Sequence, residues 1–199
     1  MDIRSSYIQN DYGTVLKTHI MGWKPNCQVE LGVLDGYSTL HIAQGLKELH
    51  QLKYTNGEKK FKAYDLFEDY KFKHGSKEEV EKMLTDNGVI DYVNVIKGNA
   101  YEVYKNHTDK SIDFLHVDIS NTGKVLKDIL ELWHPKIMDK GLILFEGGSE
   151  ERDCIEWMKK YNAPSIKKEI ETNPIITEFY QYGTYFKWPS LTILLRKWW

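Results

Sequence analysis

Five times between positions 28 and 145 the chain makes a short apolar run and breaks it at a glycine or a polar residue. The runs lie at 28–31, 61–64, 93–96, 112–117 and 142–145, and amphipathic segments of helical period separate most of them. Runs this short suit buried strands. Strands joined through helices return to the same edge and so lie parallel. The pattern therefore predicts a doubly wound α/β domain, a mostly parallel sheet with helices on both faces.

The helical segments support that reading. Leu40, Ala43, Leu46 and Leu49 recur at three-residue spacing behind Ser38, which is read as the N-cap. Val80, Met83 and Leu84 share a face within 77–87, closed by Gly88, and Val125, Leu126, Ile129, Leu130 and Trp133 share one within 123–133, limited by Pro135. A further helix is expected over 150–161. The tail reads as strands at 175–182 and 191–196 around a Gly183-Thr184 turn, and Asn56-Gly57 marks another turn. With 199 residues and no linker or repeat, one domain is expected, residues 1–26 covering a core of 27–199.

What stands at the strand ends points to a site. The five runs finish near Gly32, Asp65, Asn99, Asp118 and Glu146. In open parallel sheets, ligands bind beyond the carboxyl ends of the strands. Gly32 and Gly36 bracket a loop between the first strand and a helix, where glycine permits a tight turn and lets the backbone approach a ligand. The loop amides and the helix start at Ser38 offer donors to an anionic group. A carboxylate after the second strand, Asp65, suits the two hydroxyls of a ribose, or else caps a turn. Asn99 suits an adenine amino group, although Gly-Asn is also a common turn pair.

The stretch Val29-Glu30-Leu31-Gly32-Val33-Leu34-Asp35-Gly36-Tyr37-Ser38-Thr39 resembles motif I of class I S-adenosylmethionine-dependent methyltransferases. Ala63-Tyr64-Asp65-Leu66-Phe67-Glu68-Asp69 is similar to their second motif, above all in the branch of macrocin-type sugar O-methyltransferases and cephalosporin-hydroxylase-like proteins. The likeness runs from about Val29 to Ser149 and implies a Rossmann-like seven-stranded sheet with an antiparallel C-terminal strand. It implies S-adenosylmethionine as cofactor, with Glu30, Gly32 and Ser38 at the methionine end, Gly36 in the loop, Asp65 on the ribose, and Asn99 and Ala100 on the adenine. Asp118 would meet the amino-acid moiety or the reaction centre, with Glu146 as the second chemical carboxylate. The resemblance favours O-methylation of a small-molecule acceptor. Two departures bear on the chemistry. Ile119-Ser120-Asn121 stands where relatives often have Gly-Asp-His, and Gly147 follows Glu146 where metal-dependent relatives carry a second ligand. A divalent metal is therefore not expected.

Rival readings stay open on the residues alone. An accessory protein could keep the fold without the chemistry. A nicotinamide dehydrogenase shares the glycine loop, but Gly-x-Gly-x-x-Gly spacing is absent and the Tyr101-x-x-x-Lys105 spacing falls too early. A formal net charge of −2 favours no polyanion, and the lysines at 59, 60, 62, 71 and 73 read as a solvated face, so no nucleic-acid partner is expected. No run suits a membrane span. Cys27 and Cys154 are expected as buried, reduced thiols in a cytoplasmic protein. Phe179, Tyr180, Tyr182, Tyr185, Phe186 and Trp188 are expected mainly in the core, with an acceptor wall or a homodimer surface as alternatives. Tyr7, Tyr12 and Trp23 are expected to help cover the pocket. Of the histidines, 19, 41, 50, 74 and 107 read as surface residues, His116 as core and His134 as a helix end.

Overall fold

A computed structural model describes residues 3–54, 61–71 and 75–198. The Asn56-Gly57 turn, Lys59, Lys60, Lys73 and His74 lie outside the described residues. Seven strands form one sheet in the order β3-β2-β1-β4-β5-β7-β6. Contacts divide the chain into two compact units, residues 1–100 and 101–199.

In the first unit, β1 (Gln28–Leu31), β2 (Phe61–Asp65) and β3 (Val93–Lys97) are parallel neighbours, with Val29 level with Lys62 and Phe61 level with Val93. Every residue of β1 is buried. Helix α1 (Tyr12–Trp23) packs on α2 (Tyr37–Gln51), and α3 (Lys77–Asp86) lies against β3. A capping box starts α3, Ser76 and Glu79 exchanging bonds. Tyr7 and Tyr12 of the N-terminal segment are buried edge to face, whereas Trp23 is exposed. His41 is half-buried directly over Gly13.

In the second unit, β4 (Ile112–Val117) runs parallel to β5 (Ile137–Glu146), and β7 (Leu191–Arg196) is antiparallel to both β5 and β6 (Tyr180–Tyr185). The antiparallel C-terminal strand is as expected. Strand β5 starts five residues earlier than its apolar run, because its exposed stretch Met138-Asp139-Lys140 carries no hydrophobic signature. Helix α4 (Gly123–Trp133) presses Leu126, Ile129, Leu130 and Trp133 inward.

The tail departs most from expectation. The helix expected over 150–161 is two short ones, α5 (Glu150–Asp153) and α6 (Glu156–Lys160), because Ile155 between them is extended. Helix α7 (Ile166–Thr172) follows, and residues read as strand form α8 (Pro174–Phe179). There Asn173 accepts from the amides of Ile175 and Ile176, and Pro174 sits at the first turn; this cap outweighs the β-branched run behind it. Gly183-Thr184 is strand rather than turn, paired with Ile193 and Thr192. Tyr180 is buried, but Tyr182, Tyr185 and Phe186 are exposed, since they lie on or just beyond an edge strand. Cys154, at the solvent end of α5, is exposed, and Cys27 is half-buried. His107 is buried against Trp133 and not on the surface, while His116 is buried as expected. His134 ends α4 and meets the Tyr180 hydroxyl at 3.1 Å.

Candidate active site

In the first unit the loop after β1 turns on three left-handed residues, Gly32 (φ 93°), Leu34 (φ 53°) and Gly36 (φ 86°). The Gly32 amide donates to the Tyr64 carbonyl at 2.9 Å and carries the β1–β2 pairing one residue further. Gly36, and not Ser38, is the N-cap of α2; its left-handed backbone makes the turn, leaving Ser38 buried at the second helical position. A Cβ on Gly36 would stand 2.5 Å from Met83 Cε, so the loop is packed as well as turned.

Carboxylates organise this loop. Asp65, the last residue of β2, accepts from the amides of Val33 (2.6 Å) and Leu34 (3.0 Å) through Oδ2 and of Phe67 (3.0 Å) through Oδ1. Leu34 and Phe67 both have positive φ, which costs a non-glycine residue about 1 kcal/mol or more. One carboxylate thus pins two strained positions. Glu30 is fully buried in β1 and accepts from the Thr39 hydroxyl at 2.5 Å, tying strand to helix. Asp35 is gripped by Arg4 from the N-terminal segment, Nε at 2.5 Å and the second guanidinium nitrogen at 2.6 Å, with the Arg4 amide at 3.0 Å. The hydrogen bond to Asp35 also raises the pKa of Arg4. Asn99 and Ala100 are half-buried just past β3, where the Gly98 amide donates to the Asp65 carbonyl at 2.8 Å. The carboxyl ends of three adjacent parallel strands therefore carry Glu30, Gly32, Gly36, Ser38, Asp65, Asn99 and Ala100. The roles of Arg4, Asp35 and Thr39 were not anticipated.

In the second unit, Asp118 follows β4 and Glu146 ends β5. Asn121 joins them: its Nδ2 donates to Asp118 Oδ1 at 2.9 Å and to Glu146 Oε2 at 3.2 Å. Arg152 of α5 donates from Nε to the other oxygen, Glu146 Oε1, at 2.9 Å, and reaches the Asn121 carbonyl at 3.4 Å. The Trp157 and Trp188 rings lie 5.3 Å and 5.9 Å from the guanidinium carbon. Asn121 and Arg152 are 1% and 4% exposed, yet Asn121 Oδ1 and Arg152 Nη1 have no hydrogen-bond partner among the described residues. Buried polar atoms are ordinarily satisfied. Arg152 was missed in the sequence, where Glu150, Glu151 and Asp153 around it read as a solvated helix start.

A family model described as a methyltransferase domain matches residues 29–146, more than half of the chain. No curated protein matches the sequence. Among solved structures, a methyltransferase from Geobacter sulfurreducens is 16% identical, covers 95% of this chain and 79% of its own, and superposes with a TM-score of 0.68. An O-methyltransferase from Bacillus cereus in complex with SAH is 15% identical over 98% and 85%, with a TM-score of 0.69. The O-methyltransferase TomG from Streptomyces achromogenes, involved in tomaymycin synthesis and solved with SAM, is 13% identical over 99% and 83%, with a TM-score of 0.65.

Proposed function

Because the chain belongs to the methyltransferase-domain family, we propose that it moves the methyl group of S-adenosylmethionine to an oxygen of a small-molecule acceptor. The observation that carries this reading is the loop after β1, folded around Asp65 with Glu30 beneath it. Asp65 has two jobs here. It fixes the loop through backbone amides, and it stands at the strand edge as the acceptor for ribose hydroxyls. Gly32 and Glu30 belong to the methionine end, with Ser38 in the first turn of α2, and Asn99 and Ala100 to the adenine.

S-adenosylmethionine supplies an electrophilic methyl group, so the protein has to align an acceptor oxygen and accept its proton. Asp118 and Glu146 are the carboxylates assigned to that chemistry. We infer that it proceeds without a metal: the Arg152 guanidinium already places a positive charge on Glu146 at 2.9 Å, and Gly147 brings no ligand. The proposal extends to a cytoplasmic protein with neither nucleic acid nor membrane as partner; the near-neutral charge speaks against a polyanion, and no helix among the described residues is long and apolar enough to cross a membrane. The exposed Tyr182, Tyr185 and Phe186 are assigned to an acceptor wall or to a second copy.

Calorimetry with S-adenosylmethionine, S-adenosylhomocysteine and NAD tests the reading. Binding of the first two and not the third is expected, and tight NAD binding alone would overturn it.

A further inference from the structure

We propose that two copies of the chain pair their β6 strands antiparallel about a two-fold axis at Gly183, so that the sheet of one copy continues into the other.

The register fixes which backbone groups of β6 face outward. Strand β6 ends the sheet, with β7 as its neighbour. Just before its first residue, the Phe179 carbonyl accepts from the Lys197 amide at 2.9 Å. Bonded and non-bonded pairs alternate along an antiparallel ladder. Gln181, Gly183 and Tyr185 therefore bond to their partners Leu195, Ile193 and Leu191. The other side of β7 agrees. There the Gly147 amide donates to the Ser190 carbonyl at 2.9 Å, which gives Thr192 and Leu194 to β5 and leaves Ile193 and Leu195 to β6. Both backbone groups of Tyr182 and Thr184 thus point away from β7, as does the Tyr180 carbonyl. The Tyr180 amide is taken by Ile176.

Edges of this kind are ordinarily guarded by a charge, a proline or a bulge. Residues 179–186 carry neither charge nor proline, and β6 pairs with β7 one for one through all six of its residues. On the opposite edge, β3 ends in Lys97, paired with Asp69 at 2.8 Å.

The occupant that fits is the same strand. With the axis at Gly183, Tyr182 of each copy lies opposite Thr184 of the other, and outward groups meet outward groups. Gly183 then faces Gly183 as a non-bonded pair, where backbones approach to about 4.5 Å, and the space a side chain would fill there is open. Charge agrees with this direction. The uncharged run lies between exposed Glu178 and exposed Lys187. Antiparallel pairing brings the Glu178 end of one copy to the Lys187 end of the other, whereas parallel pairing would set like charges together. Tyr182, Tyr185 and Phe186, 49%, 45% and 66% exposed, supply the apolar cover. Half of three aromatic side chains is roughly 300 Å² per copy, against roughly 800 Å² in a standard interface. The dimer is therefore one that dissociates on dilution, with a Kd of micromolar order.

Sedimentation velocity on the whole protein across the micromolar range should show a monomer–dimer equilibrium. Hydrogen exchange at the two ends of that range should protect the Tyr182 and Thr184 amides only where the dimer forms, with the Gly183 amide protected at both. Tyr182→Pro removes an outward amide and none that bonds to β7, so it should fold and remain monomeric. Tyr182→Thr keeps the amide and loses the ring, and should weaken the dimer several-fold without abolishing it. Tyr182→Lys adds the guard that the edge lacks and should also give a monomer, which keeps the test open if the proline variant does not fold. Lys187→Glu should weaken the dimer several-fold, and adding Glu178→Lys should restore it. Circular dichroism establishes that each variant is folded. A wild type monomeric throughout, a dimer that survives in folded Tyr182→Pro or Tyr182→Lys, or a dimer whose Tyr182 and Thr184 amides exchange freely would overturn the proposal.

Discussion

The two strand-end sites are built on opposite plans. In the loop after β1, Asp65 is met by three backbone amides, and Asp35 by one in addition to the Arg4 fork. At the ends of β4 and β5, side chain meets side chain, and two buried atoms of the set have no hydrogen-bond partner among the described residues. A site assembled from backbone holds its shape as long as the turn holds. One assembled from side chains depends on each member.

If that contrast is right, the largest effect of a single substitution should be on turnover, in the second site. Asp118→Asn removes the assigned proton acceptor and should slow methyl transfer about 10²-fold or more, with little change in S-adenosylhomocysteine affinity. Equal losses in both would make Asp118 only a cofactor ligand. The wild-type rate should survive EDTA, and activity restored by Mg²⁺ after such treatment would reverse the metal-free inference. Next in size, Arg152→Met leaves Glu146 buried beside no cation and should cost about 3–5 kcal/mol in urea unfolding. Adding Glu146→Gln should recover much of that loss, and failure to recover would mean that the charge pair is not the reason.

The first site should respond differently, through shape and binding together. Asp65→Ala should weaken S-adenosylhomocysteine roughly ten- to a hundredfold and cost about 1–3 kcal/mol of stability through the freed amides. Unchanged affinity would leave Asp65 as a loop cap alone. Gly36→Ala should cost about 1–2 kcal/mol, from positive φ and from Met83 at 2.5 Å. Met83→Ala should relieve only the packing part; full relief would show that backbone strain contributes nothing.

The smallest expected effect is a pH dependence from one histidine of the second unit. Burial, with help from Arg196, lowers the pKa of His134 to about 4. The folded state holds the ring neutral while an unfolded chain binds a proton near pH 6.5. Stability from this group is complete above 6.5 and is lost as pH falls toward 4. After allowance for water at the half-buried ring, about 1 kcal/mol is expected. His134→Gln should flatten that part of a Tm-against-pH curve.

How much of this could be read from the residues follows the same division. β1, β4, α4 and β7 were legible because each is a sustained apolar pattern between breakers, and the place of Asp65 at a strand end was legible because the apolar run stops there. Helix α8 was not: Ile175, Ile176 and Thr177 argue for a strand, and only the Asn173 cap with Pro174 says otherwise. Arg152 was hidden among Glu150, Glu151 and Asp153, which look like a solvated helix start. The composition held a clue. Of the 27 basic residues only Arg4, Arg152 and Arg196 are arginines, and each pairs with a carboxylate: Asp35, Glu146 and Asp139. Of the three, only Arg4 grips its carboxylate with two guanidinium nitrogens, the fork that a lysine cannot offer.

The Arg4–Asp35 grip spans 31 positions of sequence and joins the N-terminal segment to the middle of the glycine loop. In hydrogen exchange, amides released by one opening event exchange together. The loop amides that face Asp65 should therefore share their opening with the backbone around Arg4. A change near the start of the chain becomes a change in how often the loop breathes, and so in how fast a nucleoside ligand comes and goes, with no contact between that change and the ligand.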